Sequence, residues 1–308
     1  MKKSKLIILL IILLTICGCS KTKKKNQEVK KDDTFVNYLK NYDEDYRYID
    51  NYTTVKCSAL KDNDLMMLAR DYFITSDGVV YRINAYSDQL FSNDEQCMKA
   101  DINTTMKKVV DNTIVGNDGK MYRYDVIENK VMIDEYYDTN SNENILVQNN
   151  DVITYSYQNN DGSEYADSPS ENIYYSKFFV LKTDGNIYSI IIKQSTEYNY
   201  DILDYNPAKY EIVSEKIAYS KDEYGHIIDF SSNEKDEVDR IVTTDKIYLL
   251  KEIETEECKK YIDIACEKKL VENETYKKYF KEVKYTNSEF ILLKDNTIIP
   301  IDILDYVK

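Results

Sequence analysis

The sequence predicts an all-β protein, a β-propeller-like array of roughly six or seven short antiparallel modules with a small helical insertion near the C-terminus. Three observations predict it. A short apolar run, a turn centred on Asp-Gly or Asn-Asp, and a second apolar run recur from Tyr46 onward. The turns near residues 78, 119, 150, 185, 245 and 296 lie 31 to 60 residues apart, the period of blades built from several short strands. Tyrosine occurs 30 times against 8 Phe and no Trp, and tyrosine suits a half-exposed pleated surface, where its ring is buried and its hydroxyl stays wet.

The chain opens on Lys2, Lys3 and Lys5, then an apolar run from Leu6 to Ile16 in which only Thr15 is polar. A helix needs about 20 apolar residues to span a bilayer core, so this shorter run reads as the core of a signal peptide. It ends Ile16-Cys17-Gly18-Cys19. A branched residue three before the last cysteine and a glycine just before it resemble the lipobox of bacterial lipoproteins. The resemblance implies that residues 1–18 are a lipoprotein signal peptide, that Cys17 leaves with them, and that Cys19 is lipidated and becomes the first residue. Each buried methylene of the implied acyl chains contributes about 0.8 kcal/mol, so two or three chains hold a protein on its membrane essentially permanently. The expected location is therefore the extracytoplasmic face of the cell membrane, and the bias toward Lys, Asn, Ile and Tyr fits an AT-rich bacterial genome.

Ser20 to Asp33 reads SKTKKKNQEVKKDD, with one aliphatic residue and no aromatic, so it cannot bury surface and is expected to be a flexible polar tether. The span 19–44 is assigned to the lipidated cysteine and this tether, and 45–308 to the propeller-like domain.

Within that domain the clearest modules are Tyr72 to Tyr81 around Asp77-Gly78, Thr113 to Tyr122 around Asp118-Gly119, and Phe179 to Tyr188 around Asp184-Gly185. Asp-Gly between apolar runs is a strong hairpin signal, because glycine tolerates the positive φ that a tight turn needs. In each, a tyrosine follows the glycine by three residues. Weaker copies sit at Ile145 to Ile153 around Asn149-Asn150-Asp151, Ile241 to Tyr248 around Asp245-Lys246, and Phe290 to Ile299 around Asp295-Asn296. Tyr210 to Phe230 is the candidate for a further module in the longest gap. The phrase Val180-Leu181-Lys182-Thr183-Asp184-Gly185-Asn186-Ile187-Tyr188 resembles the hairpin of regulator-of-chromosome-condensation-type propeller repeats, which implies hairpin geometry and a bladed ring. Between Lys251 and Lys284 the spacing of Leu270, Tyr276, Tyr279, Phe280 and Val283 predicts a helix after a Cys258 to Cys266 loop. A strand from the stretch Tyr46 to Val55 is expected to pair with the terminal run Phe290 to Val307 and close the ring.

Four cysteines remain after the anchor, an even number in an exported setting, and pairing by nearest neighbour gives Cys57 with Cys97 and Cys258 with Cys266. Neither pair has zinc-knuckle spacing and the sole histidine, His226, is remote from both, so no metal site is expected. No G-x-S-x-G accompanies His226, no phosphate-cradling glycine loop occurs, and no catalytic residue or cofactor is assigned. Asp138 to Glu143 begins with the oxygen spacing of a calcium loop but has Glu143 where that loop needs glycine. The net charge of −14, about −17 once Lys2, Lys3 and Lys5 are removed, argues against nucleic acid as a partner. The expectation is a non-catalytic binding or scaffolding module with a protein or small-molecule ligand. The alternatives are a carboxylate-based hydrolase on the same scaffold or a solute-binding lipoprotein serving a transporter.

Overall fold

The computed structural model describes residues 33–42, 53–83, 96–111, 113–125, 128, 130–134, 141–158, 171–202, 204–260 and 265–306. The signal peptide, Cys19, residues 20–32 and 43–44 of the tether span, and the loop residues Asp138 to Asn140 lie outside them. Helix α1 (Phe35–Tyr42) comes first. A two-residue strand β1 (Thr53–Thr54) and a short helix α2 (Ser58–Asp62) follow.

Twenty further strands form five antiparallel sheets in chain order. Blade 1 holds β2 (Leu65–Leu68), β3 (Tyr72–Thr75), β4 (Val80–Ile83) and β5 (Cys97–Lys99). Blade 2 holds β6 (Met106–Val110), β7 (Thr113–Gly116), β8 (Met121–Asp125) and β9 (Lys130–Ile133). Helix α3 (Asn142–Gln148) leads into blade 3, made of β10 (Val152–Gln158), β11 (Glu171–Lys182), β12 (Ile187–Asn199), the two-residue β13 (Asp204–Tyr205) and β14 (Lys209–Tyr219). After α4 (Lys221–Tyr224), blade 4 holds β15 (Ile227–Ser232), β16 (Val238–Thr243), β17 (Ile247–Ile253), α5 (Glu256–Lys260) and β18 (Glu267–Glu272). Blade 5 follows α6 (Glu274–Tyr279) and a 3-10 turn, with β19 (Val283–Thr286), β20 (Phe290–Leu293) and β21 (Thr297–Pro300); α7 (Ile303–Tyr306) ends the described chain.

Blade 5 takes its fourth strand from the other end of the chain. β1 pairs antiparallel with β21, Thr53 opposite Ile298 and Thr54 opposite Thr297, so the N-terminal strand closes the ring as the outer strand of the last blade. Polar contacts cross every junction. Met106 N–H donates to Gly78 O at 2.9 Å between blades 1 and 2, and the Lys108 ammonium to Asn149 O at 2.9 Å between 2 and 3. Gln158 donates to Asp236 O at 2.9 Å between 3 and 4, Ser288 N–H to Asp229 at 2.6 Å between 4 and 5, and Asn287 to Leu68 O at 2.8 Å between 5 and 1.

The core is divided the same way, into five clusters, one per junction. Successive strand residues point to opposite sheet faces, so a blade buried on both sides needs an unbroken apolar run. The middle strands obey this. Phe73 packs toward blade 5 and Ile74 toward blade 2; Phe178 faces blade 2 and Phe179 blade 4; Ile291 faces blade 4 and Leu292 blade 1.

Five blades, not six or seven, make the ring. The turns at 78, 119, 185, 245 and 296 each join the second and third strands of a blade. The one near residue 150 does not: Ile145 to Gln148 is helical, because Ser141 caps α3 by accepting the Asn144 N–H at 3.3 Å, and Leu146 and Val147 are buried. Tyr210 to Phe230 is no module either. Its first part is β14, and the long gap comes from β11 and β12, which run 12 and 13 residues where strands of the other blades run 2 to 7. Leu270, expected in a helix, lies in β18, and the helix is confined to Glu274–Tyr279.

The folded domain also starts before residue 45, within the span assigned to the tether. Phe35 and Leu39, one turn apart on α1, are fully buried between blades 4 and 5. Phe35 stacks on Tyr279 with ring centroids 5.1 Å apart, and the Asp33 carboxylate accepts from the Tyr279 hydroxyl at 2.8 Å and the Lys278 ammonium at 3.1 Å.

Candidate functional site

The residues singled out in the sequence take structural places. Cys57 pairs with Cys97, and Cys258 with Cys266. The tyrosines after the turn glycines clasp their own hairpins: Tyr122 and Tyr188 donate to Asp118 and Asp184, each at 2.6 Å. The bond from Tyr122 holds Asp118 below the usual carboxylate range and pushes the Tyr122 phenol up to about 12. Tyr81 instead stacks on Phe73 at 5.0 Å. His226 sits at the junction of blades 3 and 4, where a methyl group on Gly185 would meet its ring, Cε1 at 2.8 Å. Among the described residues no three of His, Cys, Asp and Glu group closely enough to hold a metal ion. No helix among them is long and apolar enough to cross a membrane.

What the sequence did not single out is a cavity of about 1070 Å³ on the ring axis. The first strand of every blade lines it, with Met66 from β2, Val109 from β6, Tyr155 from β10, Phe230 from β15 and Tyr285 from β19. Among the described residues six carboxylates share its wall: Asp111, Glu143, Asp229, Asp239, Glu289 and Asp302. They come from blade 2, from α3, and from blades 4 and 5, so no local spacing marks them as a set. Among the described residues the one cationic side chain in the wall is Arg240. It donates to Ser288 O at 2.7 Å, to Asp302 at 3.0 Å and to Asp305 at 3.2 Å, tying blade 4 to the turn and tail of blade 5.

Asp229 is held rigidly by the Ser288 N–H at 2.6 Å and the Phe230 N–H at 2.9 Å. Burial nevertheless pushes its carboxyl above the usual range, and Asp111 adds to the shift. Burial raises Glu289 too, with Asp229, Asp111 and Asp302 repelling its charge. Glu143 is raised by burial and by Asp111, and Asp305 by burial, against the pull of Arg240. In the cavity, carboxylates from three parts of the ring are thus partly desolvated and sense one another.

A pH dependence follows. Asp229, Glu289, Glu143 and Asp305 bind protons more tightly in the folded chain than in the unfolded one. Their contribution to stability is therefore fully present below the ordinary carboxyl pKa of about 4 and is lost as pH rises through their raised values. Asp33, Asp118 and Glu237, all lowered, behave oppositely and lose their contribution as pH falls below about 4. As the pH is lowered from 7 toward the ordinary carboxyl range the raised groups add stability, and below about 4 the lowered ones withdraw theirs, so the melting temperature followed by circular dichroism is expected to pass through a maximum. A steady fall from pH 7 downward would contradict the cavity electrostatics.

No protein-family model matches the chain, and no curated protein is similar to it. Among solved structures, the chain is similar to the β-propeller domain of Nup133 from Vanderwaltozyma polyspora, at 10% identity and a TM-score of 0.15, over 74% of this chain and 66% of that one. At that TM-score the likeness carries no argument about function.

Proposed function

We propose that the protein is a membrane-anchored extracytoplasmic lipoprotein, fixed through lipidated Cys19, whose five-bladed ring binds a ligand in its central cavity. The observation that carries the ligand site is the convergence of the first strands of all five blades on one water-accessible cavity with polar and aromatic walls. Anchoring rests on the Lys2 to Cys19 pattern.

Topology supports an orientation. Helix α1 docks where β19 begins, Phe35 N–H donating to Glu282 at 3.1 Å. Asp111 and Glu289 follow the far ends of β6 and β19. The described chain therefore begins on the face opposite the acidic rim, so an anchor at Cys19 would attach from that side. A non-catalytic module is favoured over a transporter-linked solute binder because that class is built from two α/β lobes; a carboxylate-based hydrolase is the second reading, since six carboxylates among the described residues share the wall and Ser231 donates to Asp239 there at 2.6 Å.

The test uses the full chain with its signal sequence in a bacterial host. Wild type is expected in the membrane fraction carrying acyl label, with Cys19→Ser unlabelled and released into the soluble fraction. Native mass spectrometry of the detergent-extracted wild type should show a bound small molecule that is absent from Thr154→Trp, which sets a bulky ring in the cavity wall. Membrane retention unchanged by Cys19→Ser would overturn the anchor, and a bound mass unaffected by Thr154→Trp would overturn the cavity as the site.

A further inference from the structure

We infer, resting on the central cavity being the ligand site, that its ligand is a small organic polycation of the polyamine class, bound by carboxylates spread around the ring rather than gathered at one point.

Size is the first argument. About 1070 Å³ is the scale of a small-molecule site and far exceeds what an ion needs. Distribution is the second. The carboxylates occupy separate parts of the wall, Asp111 in blade 2, Glu143 on α3, Asp229 in blade 4 and Glu289 in blade 5. Among the described residues no three acidic, histidine or cysteine side chains meet tightly enough for a metal. Charges set apart in this way match ammonium groups set apart by methylene chains. Chemistry is the third. Arg240 is the only cation in the wall among the described residues, and its guanidinium is already engaged by Asp302 and Asp305. Burial first, and repulsion by neighbouring carboxylates second, raise Asp229, Glu289 and Glu143; an anionic ligand would add to that repulsion, whereas a polycation would relieve it. Tyr155, Phe230, Tyr285 and Phe290 are among the lining residues and give the wall apolar surface that suits methylene segments.

The carboxylates also differ in what they hold. Asp229 fastens the Ser288 turn, so replacing it perturbs the wall. Glu289 is exposed toward the cavity, and Glu289→Gln keeps shape while removing charge.

The experiment is isothermal titration of the detergent-extracted full chain with spermidine, maltotriose and citrate as cationic, neutral and anionic probes. Spermidine is expected to bind at one site per chain and the other two not to bind. Glu289→Gln and Asp111→Asn should each weaken spermidine about tenfold, the loss of one charge-assisted contact, while Glu274→Gln on the exposed face of α6 leaves it unchanged. Spermidine binding that survives Glu289→Gln, Asp111→Asn and Thr154→Trp undiminished would put the cation elsewhere and overturn the inference. Binding of maltotriose or citrate that Thr154→Trp blocks, with none of spermidine, would overturn the cationic class while leaving the cavity as the ligand site.

Discussion

Gly78→Ala is expected to destabilise the protein by about 3 kcal/mol or more, while the chemically identical change Gly119→Ala costs about 1 kcal/mol. Both glycines turn a hairpin with positive φ, +81° and +77°, so both substitutions place a side chain where L-residues are strained. They differ in what lies beyond. Around Gly119 there is nothing within 4 Å of an added Cβ, and the strain is the whole cost. At Gly78 the Cβ would run into the backbone of Met106, its nitrogen at 2.7 Å and its carbonyl carbon at 3.0 Å. Met106 opens the next blade and donates its N–H to Gly78 O. Blade 2 would have to move away from blade 1, breaking that bond and loosening the apolar junction of Ile74, Val80, Met106 and Ile114. Urea unfolding of the two variants beside wild type reads the difference, and equal losses would mean that the hairpin does not abut the neighbouring blade.

The second large effect is expected at the Cys57–Cys97 disulfide. Its loop of 40 residues predicts a loss of about 4 kcal/mol when both cysteines become serine, against about 2.5 kcal/mol for the Cys258–Cys266 pair, whose separation is 8. The bond also has a particular place. Cys57 follows β1, is buried in the junction of blades 5 and 1, and caps α2 by accepting the Leu60 N–H at 3.2 Å. Cys97 begins β5, the outer strand of blade 1. The disulfide therefore fastens the closing segment of the ring to the first blade, and its removal should lower the cooperativity of unfolding as well as the midpoint. Equal losses from the two double variants would argue against that role.

How far the sequence carried the architecture depends on the range of the signal. The hairpins at Asp77-Gly78, Asp118-Gly119 and Asp184-Gly185 were legible because their cause is local, a glycine at positive φ between apolar runs. Asn296 serves in place of glycine with φ +66°, a role that asparagine tolerates better than most residues. The stretch around Asn149 misled for an equally local reason: Ile145, Leu146 and Val147 read as a strand until Ser141 is recognised as a helix cap. Blade number failed on strand length, since β11 and β12 stretch one module over a span in which two were expected. Phe35 and Leu39 show a helix spacing, but the Lys-rich stretch before them masked it.

The cavity could not have been found by spacing. Asp111, Glu143, Asp229, Glu289 and Asp302 are brought together only by closure of the ring, across separations longer than any motif. Chemistry that depends on convergence of separate blades leaves no linear trace, whereas chemistry borne on one turn does. The faint signal was positional: Asp111 and Glu289 stand between the first and second strands of their blades, and such turns sit at one mouth of a propeller.

Closure itself is the premise on which the cavity, its electrostatics and its ligand rest, and Thr54 and Thr297 offer the most direct reading of it. They are paired across β1 and β21, with hydroxyl oxygens 2.7 Å apart. In the oxidised Thr54→Cys, Thr297→Cys variant, peptide mapping by mass spectrometry should find a bond between positions 54 and 297 within one chain, beside the Cys57–Cys97 and Cys258–Cys266 pairs. A variant in which those two cysteines stay free, or bridge two chains, would contradict a ring of five blades closed by its own N-terminal strand.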